Sequence, residues 1–361
     1  MKINICVVLS VLTLLFMAGC GDLTETRDYR TGDSAQIPSN LKKVSYSNVP
    51  GWDEDDHRYA LAAFRNTCAA RLQYRGRVVP DKQLLDEKCQ ILPSASISQS
   101  GAKKWFMENF APYQVFDDSG KKTGTYTGYY SPVIDACTHK TDKCNEPLLG
   151  IPTNGQTFKG IPKKTIVQNN IGRVLYWANI VDVQNMQIQG SGMLKLENGD
   201  LVKLNFAAVN DMPFRSIGDQ LKQRGIRPDG GYSSDAVWTY LKKNPSLARD
   251  VIYNNPRYVY FKPAQSHDVI GKIGTPLTKI RSIAMDDSIY TIGLPVFINT
   301  NLSVDGRKFR RLMVAQDTGS AIRGWIRADI FFGSGIDAYK YAHGQHAQGE
   351  IYILIPKPYG K

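Results

Sequence analysis

The chain has 361 residues, of which 42% are hydrophobic, 22% charged and 10% aromatic. This composition is ordinary for a globular protein and excludes collagen-like, coiled-coil and wholly disordered chains. The 45 lysine and arginine residues exceed the 33 acidic residues and give a net charge of +12, so an anionic partner is worth considering. The basic residues are scattered, however, and no zinc-finger or RNP-like motif accompanies them, so we predict no nucleic-acid partner.

The N-terminus has the pattern of an export signal. A single lysine precedes an apolar run over residues 5–16, which is too short to span a membrane. The following Met-Ala-Gly-Cys, residues 17–20, resembles a bacterial lipobox. We therefore predict a signal peptide over residues 1–19 and lipidation of Cys20, with an ordinary signal peptide as the alternative. Gly21 after this cysteine, rather than aspartate, favours an outer-membrane lipoprotein that faces the periplasm.

Four further cysteines remain in the exported chain: Cys68, Cys89, Cys137 and Cys144. An even number of cysteines in an exported protein predicts two disulfides. Of the three connectivities that four cysteines allow, we expect local pairing, first with second and third with fourth. A zinc site is the alternative, but neither C-x-x-C spacing nor clustered histidines support it. The sequence gives no sign of a metal or cofactor requirement.

The first third of the mature chain predicts a tether and two helices. Residues 20–50 are polar and suit a tether. A helix is predicted from Asp53, since apolar residues recur on one face at Leu61, Phe64, Cys68 and Leu72. A second helix is predicted to end at Pro112 and to carry Trp105, Phe106 and Phe110.

The rest of the chain predicts mainly β structure. From Tyr126 to Phe206, short alternating runs are separated by Gly, Asn and Asp. Helices are predicted over residues 234–253, with Ser234 as a cap and Pro245 starting a further turn. Short strands follow at residues 281–285, 295–300, 311–316 and 350–356. The fold class is therefore α+β, mainly β.

The candidate catalytic residues are aspartates. The chain has no G-x-S-x-G, H-E-x-x-H or P-loop motif, and no G-x-G-x-x-G follows a predicted strand. Between Asp200 and Ala347 every acidic residue is aspartate. Three aspartates stand at the ends of predicted strands: Asp286, Asp317 and Asp329. Grouped carboxylates raise the pKa of one member, which makes an acid usable near neutral pH. The structural alternative is that aspartate at a strand end is common turn chemistry.

The Asp317-Thr-Gly sequence also suggests an aspartic protease. That chemistry needs two such loops that share one proton. The sequence contains one, so only a homodimer would complete the site.

Residues 281–356 resemble the three-aspartate module of the lytic murein transglycosylase A family, most specifically in A-Q-D-T-G-S-A-I-R-G. Upstream segments are similar to that family's remaining blocks, in order: Y-T-G-Y-Y-S-P (126–132), I-Q-G-S-G (188–192), F-R-S-I-G (214–218) and N-P-R-Y-V-Y-F (255–261). The resemblance covers about residues 100–356. It departs at F-A-A-V-N-D-M-P-F, where a Gly-rich segment is expected, and at Ser320, where Gly is frequent.

The resemblance implies a double-psi β-barrel catalytic domain with flanking helices, formed by residues 51–130 and 260–361. A second, β-barrel-like substrate-binding domain, residues 131–259, is inserted, with a glycan groove between them. It also implies cleavage of the β-1,4 bond between N-acetylmuramic acid and N-acetylglucosamine in peptidoglycan without water, which leaves a 1,6-anhydromuramic end. The partners it implies are peptidoglycan glycan strands, outer-membrane lipid through the anchor at Cys20, and a wall-remodelling complex.

The resemblance also suggests roles for individual residues. Asp329 matches the last aspartate of the module and is our candidate acid/base, with Asp317 and Asp286 orienting it. Its apolar neighbours in sequence are expected to raise its pKa. The candidate substrate contacts are Tyr129, Gln189, Gly190, Ser191 and Gly192. A non-catalytic wall-binding lipoprotein remains an alternative, as does a hydrolase, either a glycosidase or a dimeric aspartyl peptidase.

Overall fold

The computed structural model describes residues 37–153 and 155–358. The predicted signal peptide, Cys20 and the first part of the predicted tether lie outside the described residues. Within the described ranges, no helix is both long and apolar enough to cross a membrane.

The helices are α1 (His57–Cys68), α2 (Lys82–Gln90), α3 (Gln99–Asn109), α4 (Lys163–Gln168), α5 (Ile180–Gln189), α6 (Ile217–Gln223), α7 (Ser234–Lys243), α8 (Pro245–Asn254) and α9 (Gly335–Ala342). The strands are β1 (Leu41–Lys43), β2 (Phe110–Val115), β3 (Gly124–Ser131), β4 (Val133–Cys137), β5 (Glu146–Gly150), β6 (Arg173–Ala178), β7 (Gly192–Leu196), β8 (Leu201–Val209), β9 (Val259–Pro263), β10 (Ser282–Met285), β11 (Pro295–Asn301), β12 (Lys308–Asp317), β13 (Arg327–Ser334) and β14 (His346–Pro356).

The first sheet closes on itself. Its strands run in the order β14-β11-β12-β10-β13-β3, and a further pairing of β14 with β3 completes the ring. The pairs β10–β12 and β13–β3 are parallel, whereas the other neighbours in the ring are antiparallel. Strands β2 and β1 extend the sheet beyond β14. Alternate residues of these strands fill the interior with large apolar side chains. The double-psi β-barrel expected from the sequence is confirmed.

The second sheet has the strand order β5-β6-β4-β7-β8-β9. Its outer strands β5 and β9 lie against each other, so this sheet is also barrel-like. Helices α5, α7 and α8 pack together beside it around a separate apolar cluster. Because β9 pairs with β8, this sheet extends to Pro263 before the chain returns to the first barrel.

The N-terminal segment corrects two expectations. Leu41 is buried and β1 pairs with β2, so the polar tether predicted to run to residue 50 has already joined the fold by this strand. The first long helix begins at His57 rather than Asp53, because the Asp56 side chain caps it by accepting a hydrogen bond from the Arg58 N–H. Leu72 lies beyond its end.

The second predicted helix also ends early. Helix α3 ends at Asn109, and Phe110 continues as β2, so Pro112 lies in a strand rather than terminating a helix. At the extended Phe110, the ring packs against those of Phe64 in α1 and Trp105 in α3.

The β interpretation of residues 126–206 is wrong for two segments. Helices α4 and α5 interrupt the strands of the second sheet.

The predicted cap of the helix at residue 234 is displaced by one residue. The cap of α7 is Ser233, whose hydroxyl accepts a hydrogen bond from the Ala236 N–H, so Ser234 is the first helical residue.

Both disulfides have the local pairing expected from the sequence. Cys68 at the end of α1 is bonded to Cys89 in α2, and Cys137 in β4 is bonded to Cys144. The sequence separations are 21 and 7 residues, so the first bond constrains the unfolded chain more strongly.

Removing each disulfide is therefore expected to cost a different amount of stability. The chain-entropy relation gives a loss in unfolding free energy of about 3 kcal/mol for Cys68→Ala/Cys89→Ala and about 2 kcal/mol for Cys137→Ala/Cys144→Ala. Urea unfolding of the two double variants measures the difference. A larger loss for the shorter loop would contradict the entropic account.

Candidate active site

Two of the three predicted aspartates lie in one row across the first barrel. Strand β10 lies between β12 and β13, and its Ala284 is paired with Asp317 on one side and Asp329 on the other. On the next strand Asp329 is paired with Thr127. Residues paired across neighbouring strands point to the same face of a sheet. The small methyl group of Ala284 thus separates the two carboxylates along this row.

Asp329 is held through one oxygen only. The Thr127 hydroxyl donates a hydrogen bond to Asp329 Oδ1 at 2.7 Å, and the same hydroxyl accepts one from Arg327 Nη2 at 2.8 Å. A guanidinium can only donate, so Arg327 orients the Thr127 proton toward Asp329. Asp329 Oδ2 has no hydrogen-bond partner among the described residues. When Asp329 is protonated, the proton therefore belongs on Oδ2.

The environment of Asp329 favours its protonated form. Burial raises its pKa to about 6, and the hydrogen bond from Thr127 and the charge of Arg327 only partly oppose this effect. The ring of Phe331, two residues along the same strand, lies 5.2 Å from the ring of Tyr129. Of the apolar neighbours in sequence, Trp325, Ile326 and Ile330 instead belong to the barrel core.

Asp317 has both oxygens occupied. The Tyr129 hydroxyl donates to Oδ2 at 2.9 Å, and the backbone N–H groups of Lys272 and Thr318 donate to Oδ1 at 2.9 and 3.0 Å. Burial raises the pKa of Asp317 despite these three hydrogen bonds. Its place in the row suits a fixed electrostatic role beside Asp329.

Asp286, the third catalytic candidate, follows the end of β10 and is not paired in this row. Its carboxylate is buried and accepts hydrogen bonds from Ser288, from Arg323 and from the Gly324 N–H. Burial alone would raise its pKa, but these hydrogen bonds outweigh it and hold the pKa below the usual range. Asp286 therefore anchors the turn that follows the Asp317 loop.

A cleft of about 1040 Å³ opens beside Asp317 and Tyr129. Its walls come from β3, the end of α5, strands β8 and β9 and the loops after β9 and β12. Its charged lining residues are Arg257, Lys262, Lys272, Arg323, Asp287 and Asp317, so cations outnumber anions. Two exposed aromatic rings, Phe206 and Phe214, also line it, with 48% and 46% of their surfaces accessible. Exposed rings beside a polar cleft suit the apolar faces of sugars.

The predicted substrate contacts separate into two groups. Tyr129, Gln189, Gly190 and Ser191 line the cleft. Gly192 is not among the lining residues; a side chain there would meet Met186 Sδ at 2.7 Å, so this glycine serves close packing. Gly190 has a positive φ of 79° and ends α5, where glycine is favoured.

Sequence reasoning missed several residues of this site. Thr127 was detectable, because it shares the period-two face of its strand with Tyr129. Arg327 shares the corresponding face with Asp329. Phe206 and Phe214 belong to the segment that departs from the expected family pattern, and no periodicity singled them out.

Comparison with known proteins places these features in a family. Residues 156–262 match the domain family described as "MltA specific insert domain", and residues 281–355 match the "3D domain". The chain belongs to the lytic murein transglycosylase A family. The second match contains Asp286, Asp317 and Asp329, and the first contains the cleft residues of α5 and β8.

Individual members of the family support this assignment. The membrane-bound lytic murein transglycosylase A of Vibrio cholerae is 29% identical over 62% of this chain and 65% of its own length, so the aligned part is slightly less than two thirds of that relative. The Escherichia coli K12 protein of the same name is 28% identical over 73% of this chain and 72% of its own length. The crystal structure of MltA from Neisseria gonorrhoeae matches with a TM-score of 0.75 and 27% identity, covering 89% of this chain and 94% of that one.

Proposed function

We propose that this protein is a peptidoglycan lytic transglycosylase. It cleaves the β-1,4 bond between N-acetylmuramic acid and N-acetylglucosamine and leaves a 1,6-anhydromuramic end. The observation that carries the proposal is the difference in how the aspartates are held. Among the described residues, Asp329 alone of the three has a carboxyl oxygen without a hydrogen-bond partner, whereas Asp317 and Asp286 have both oxygens engaged.

One free carboxyl group suits a reaction that needs one acid/base. Ordinary glycosidases use two carboxyl groups, one as acid and one as nucleophile or base. In the proposed reaction Asp329 gives its Oδ2 proton to the glycosidic oxygen, and the bond from that oxygen to C1 breaks. The resulting carboxylate takes the proton of the C6 hydroxyl while O6 bonds to C1 and closes the anhydro ring. Asp329 ends protonated, no water is consumed, and the intramolecular attack supplies the rate advantage.

The cleft suits the rest of the substrate. The Phe206 and Phe214 rings offer apolar faces for pyranose rings, and Tyr129, Gln189 and Ser191 offer polar groups for hydroxyl and acetamido groups. The excess of cations matches the carboxylates of peptidoglycan stem peptides. The relatives from Vibrio cholerae and Escherichia coli carry the name of murein transglycosylases.

The proposed function has a proposed location. The lipobox-like residues 17–20 and the "membrane-bound" relatives support an outer-membrane lipoprotein, anchored at Cys20 and facing the periplasm. The tether then spans residues 20 to about 40. We also assign the first barrel to catalysis, and the second sheet, as the inserted domain, to substrate binding.

A digest of purified sacculi tests the proposal. The chain lacking residues 1–19 and carrying Cys20→Ser is compared with the same chain carrying Asp329→Asn, and released muropeptides are identified by mass spectrometry. Products about 18 Da lighter than hydrolysis products, absent with Asp329→Asn, are expected. Water-added products would indicate a glycosidase, and free peptides with intact glycan a peptidase. Sacculus binding without release would leave a wall-binding lipoprotein.

The pH dependence of cleavage identifies the acid. Since Asp329 must start protonated and its pKa is about 6, we expect kcat/KM to fall as the pH rises through about 6. Thr127→Val removes the hydrogen bond that stabilises the carboxylate, so the descending limb should move to higher pH by about one pH unit. Rates of muropeptide release between pH 5 and 8 measure the shift.

A matched control lies two residues away on the same strand. Thr125 accepts a hydrogen bond from Gln348 at 3.1 Å and does not contact Asp329. Thr125→Val should leave the midpoint of the limb where it is in the wild type. If Thr127→Val and Thr125→Val shift the descending limb of the pH profile equally, the fall in kcat/KM arises from the titration of a group other than Asp329.

A further inference from the structure

Helix α5 presents two glutamines to the cleft on one face. Gln184 and Gln187 are three residues apart, so their side chains are neighbours on the helix surface. Both line the cleft although only 1% and 7% of their surfaces are accessible. Glutamine is uncommon in buried positions without partners for its amide, so the hydrogen bonds of both side chains are informative.

The interior fixes which end of the Gln184 amide faces the cleft. The ammonium group of Lys163 in α4, itself only 1% exposed, donates a hydrogen bond to Gln184 Oε1. Burial lowers the pKa of Lys163 to about 7, so below that pH this group is an ammonium that can only donate, and the atom facing it is the amide oxygen. Gln184 Nε2 has no hydrogen-bond partner among the described residues, and it is left as a donor for the cleft.

The side-chain amide of Gln187 has the opposite orientation, with its nitrogen toward the interior. Gln187 Nε2 donates to the backbone carbonyl of Val259 at 3.4 Å. A carbonyl oxygen can only accept, so the remaining atom is the amide oxygen. Gln187 Oε1 is buried and has no hydrogen-bond partner in the described structure. A buried acceptor without a donor is energetically unfavourable, and a ligand N–H group would satisfy it.

We propose that Gln184 and Gln187 recognise an acetamido group of the glycan, with Lys163 as the positioning residue of Gln184. A secondary amide is trans and directs its N–H and C=O to opposite sides, so one acetamido group can offer a donor to one glutamine and an acceptor to the other. Its N–H donates to Gln187 Oε1 and its C=O accepts from Gln184 Nε2. This inference rests on the proposed function for its substrate class, since N-acetylmuramic acid and N-acetylglucosamine both carry the acetamido group.

Two neutral oligosaccharides test this recognition independently of cleavage. The N-acetylglucosamine hexamer carries an acetamido group where cellohexaose carries a hydroxyl group. We expect the chain lacking residues 1–19, with Cys20→Ser, to bind the acetylated hexamer more tightly in calorimetric titrations. Gln187→Met and Gln184→Met should each weaken that binding by about tenfold to hundredfold and leave cellohexaose binding within about twofold.

Further variants separate recognition from structural damage. Gln184→Glu keeps the shape of the side chain and its acceptor for Lys163 but removes the donor, so it should lose the preference while cellohexaose binding stays within about twofold of the wild type. Lys163→Met should reduce the preference by a smaller factor, because Gln184 can then rotate. Gln168→Met makes the same chemical change on the exposed end of α4 and should alter neither affinity.

The outcomes distinguish this inference from the proposed function. Three results would overturn acetamido recognition. The glutamine variants could lose affinity for both hexamers equally, they could lose affinity for neither, or the wild type could bind both hexamers equally well. If sacculi yield anhydro products but the preference is insensitive to both glutamines, only the inference fails. A glutamine-dependent preference without cleavage of sacculi would overturn only the proposed function.

Discussion

Replacing Asp329 by asparagine is expected to abolish cleavage and at the same time to stabilise the folded protein at neutral pH. The loss of activity should reach about 10⁴-fold, the upper range for general acid–base catalysis, because the same group acts as acid and then as base. The gain in stability follows from burial, which raises the pKa of this carboxyl group from 3.8 to about 6. Asparagine keeps an acceptor for Thr127 without requiring a buried charge.

The stabilisation should depend on pH in a defined direction. Below pH 3.8 the carboxyl group is protonated in both the folded and the unfolded chain. Between pH 3.8 and about 6 the folded state binds more protons, so this group makes the wild type less stable as the pH rises. Above pH 6 its contribution levels off at a cost of up to about 3 kcal/mol. The advantage of Asp329→Asn should therefore be largest at pH 7 and shrink toward pH 4.

Urea unfolding at pH 7 and pH 4, together with sacculus digestion, measures both effects. Asp337→Asn provides the matched control, because Asp337 is exposed on α9 and its change should alter neither quantity. Asp329→Asn with normal activity would reject Asp329 as the acid/base. A variant no more stable than the wild type at pH 7 would show that water or rearrangement relieves the buried charge.

The row of Asp317, Ala284 and Asp329 explains why the barrel tolerates this cost. Asp317 is half-buried beside the cleft, and three hydrogen bonds hold its charge. Asp329 has a single donor, Thr127, whose proton is directed by Arg327. A second donor to Oδ2 would lower the pKa of Asp329 and occupy the oxygen that must reach the substrate. Incomplete hydrogen bonding at this one carboxyl group is thus a functional compromise.

The barrel strands and their aspartates could be predicted from the sequence, whereas α5 could not. The strands alternate apolar and polar residues, and Asp317 ends β12 as expected, so both features are local. Asp329 instead lies near the start of β13, which corrects its predicted place at a strand end. In α5, by contrast, Gln184 and Gln187 occupy buried positions. They interrupt the apolar stripe that would otherwise indicate a helix, so the segment was expected to be β structure. The two glutamines that disrupt the helical sequence pattern are the ones that line the cleft.

Adjacent acidic residues show a second limit of sequence reasoning. Glu54 and Asp55 are neighbours and cannot be ranked from their local pattern. In the structure Asp55 and Arg281 form an ion pair in which 4% and 3% of the side-chain surfaces are accessible, whereas 63% of the Glu54 side chain is exposed in its pair with Arg310. Both residues contact β12, so the difference arises from the buried Arg281, which pairs with Asp55 from 226 positions away in the chain.

Asp55→Ala is expected to destabilise the protein by about 3–5 kcal/mol, because it leaves the Arg281 guanidinium buried without its counter-ion. Asp55 accepts hydrogen bonds from Arg281 Nη1 and Nη2 at 2.7 and 2.8 Å and from the Leu312 N–H at 2.8 Å. The loss should also reduce activity, because Arg281 immediately precedes β10 and Leu312 lies in β12, the two strands that place Ala284 and Asp317.

A variant that removes both partners separates the contribution of the ion pair from the cost of leaving one charge buried alone. Asp55→Leu/Arg281→Met replaces the pair by apolar side chains and should be destabilised by less than Asp55→Ala, since no uncompensated charge stays buried. Glu54→Ala, one residue away, should cost less than about 1 kcal/mol, as expected for an exposed pair. Urea unfolding of the four proteins measures these values. Similar losses for Asp55→Ala and Glu54→Ala would mean that burial does not decide the strength of these two ion pairs.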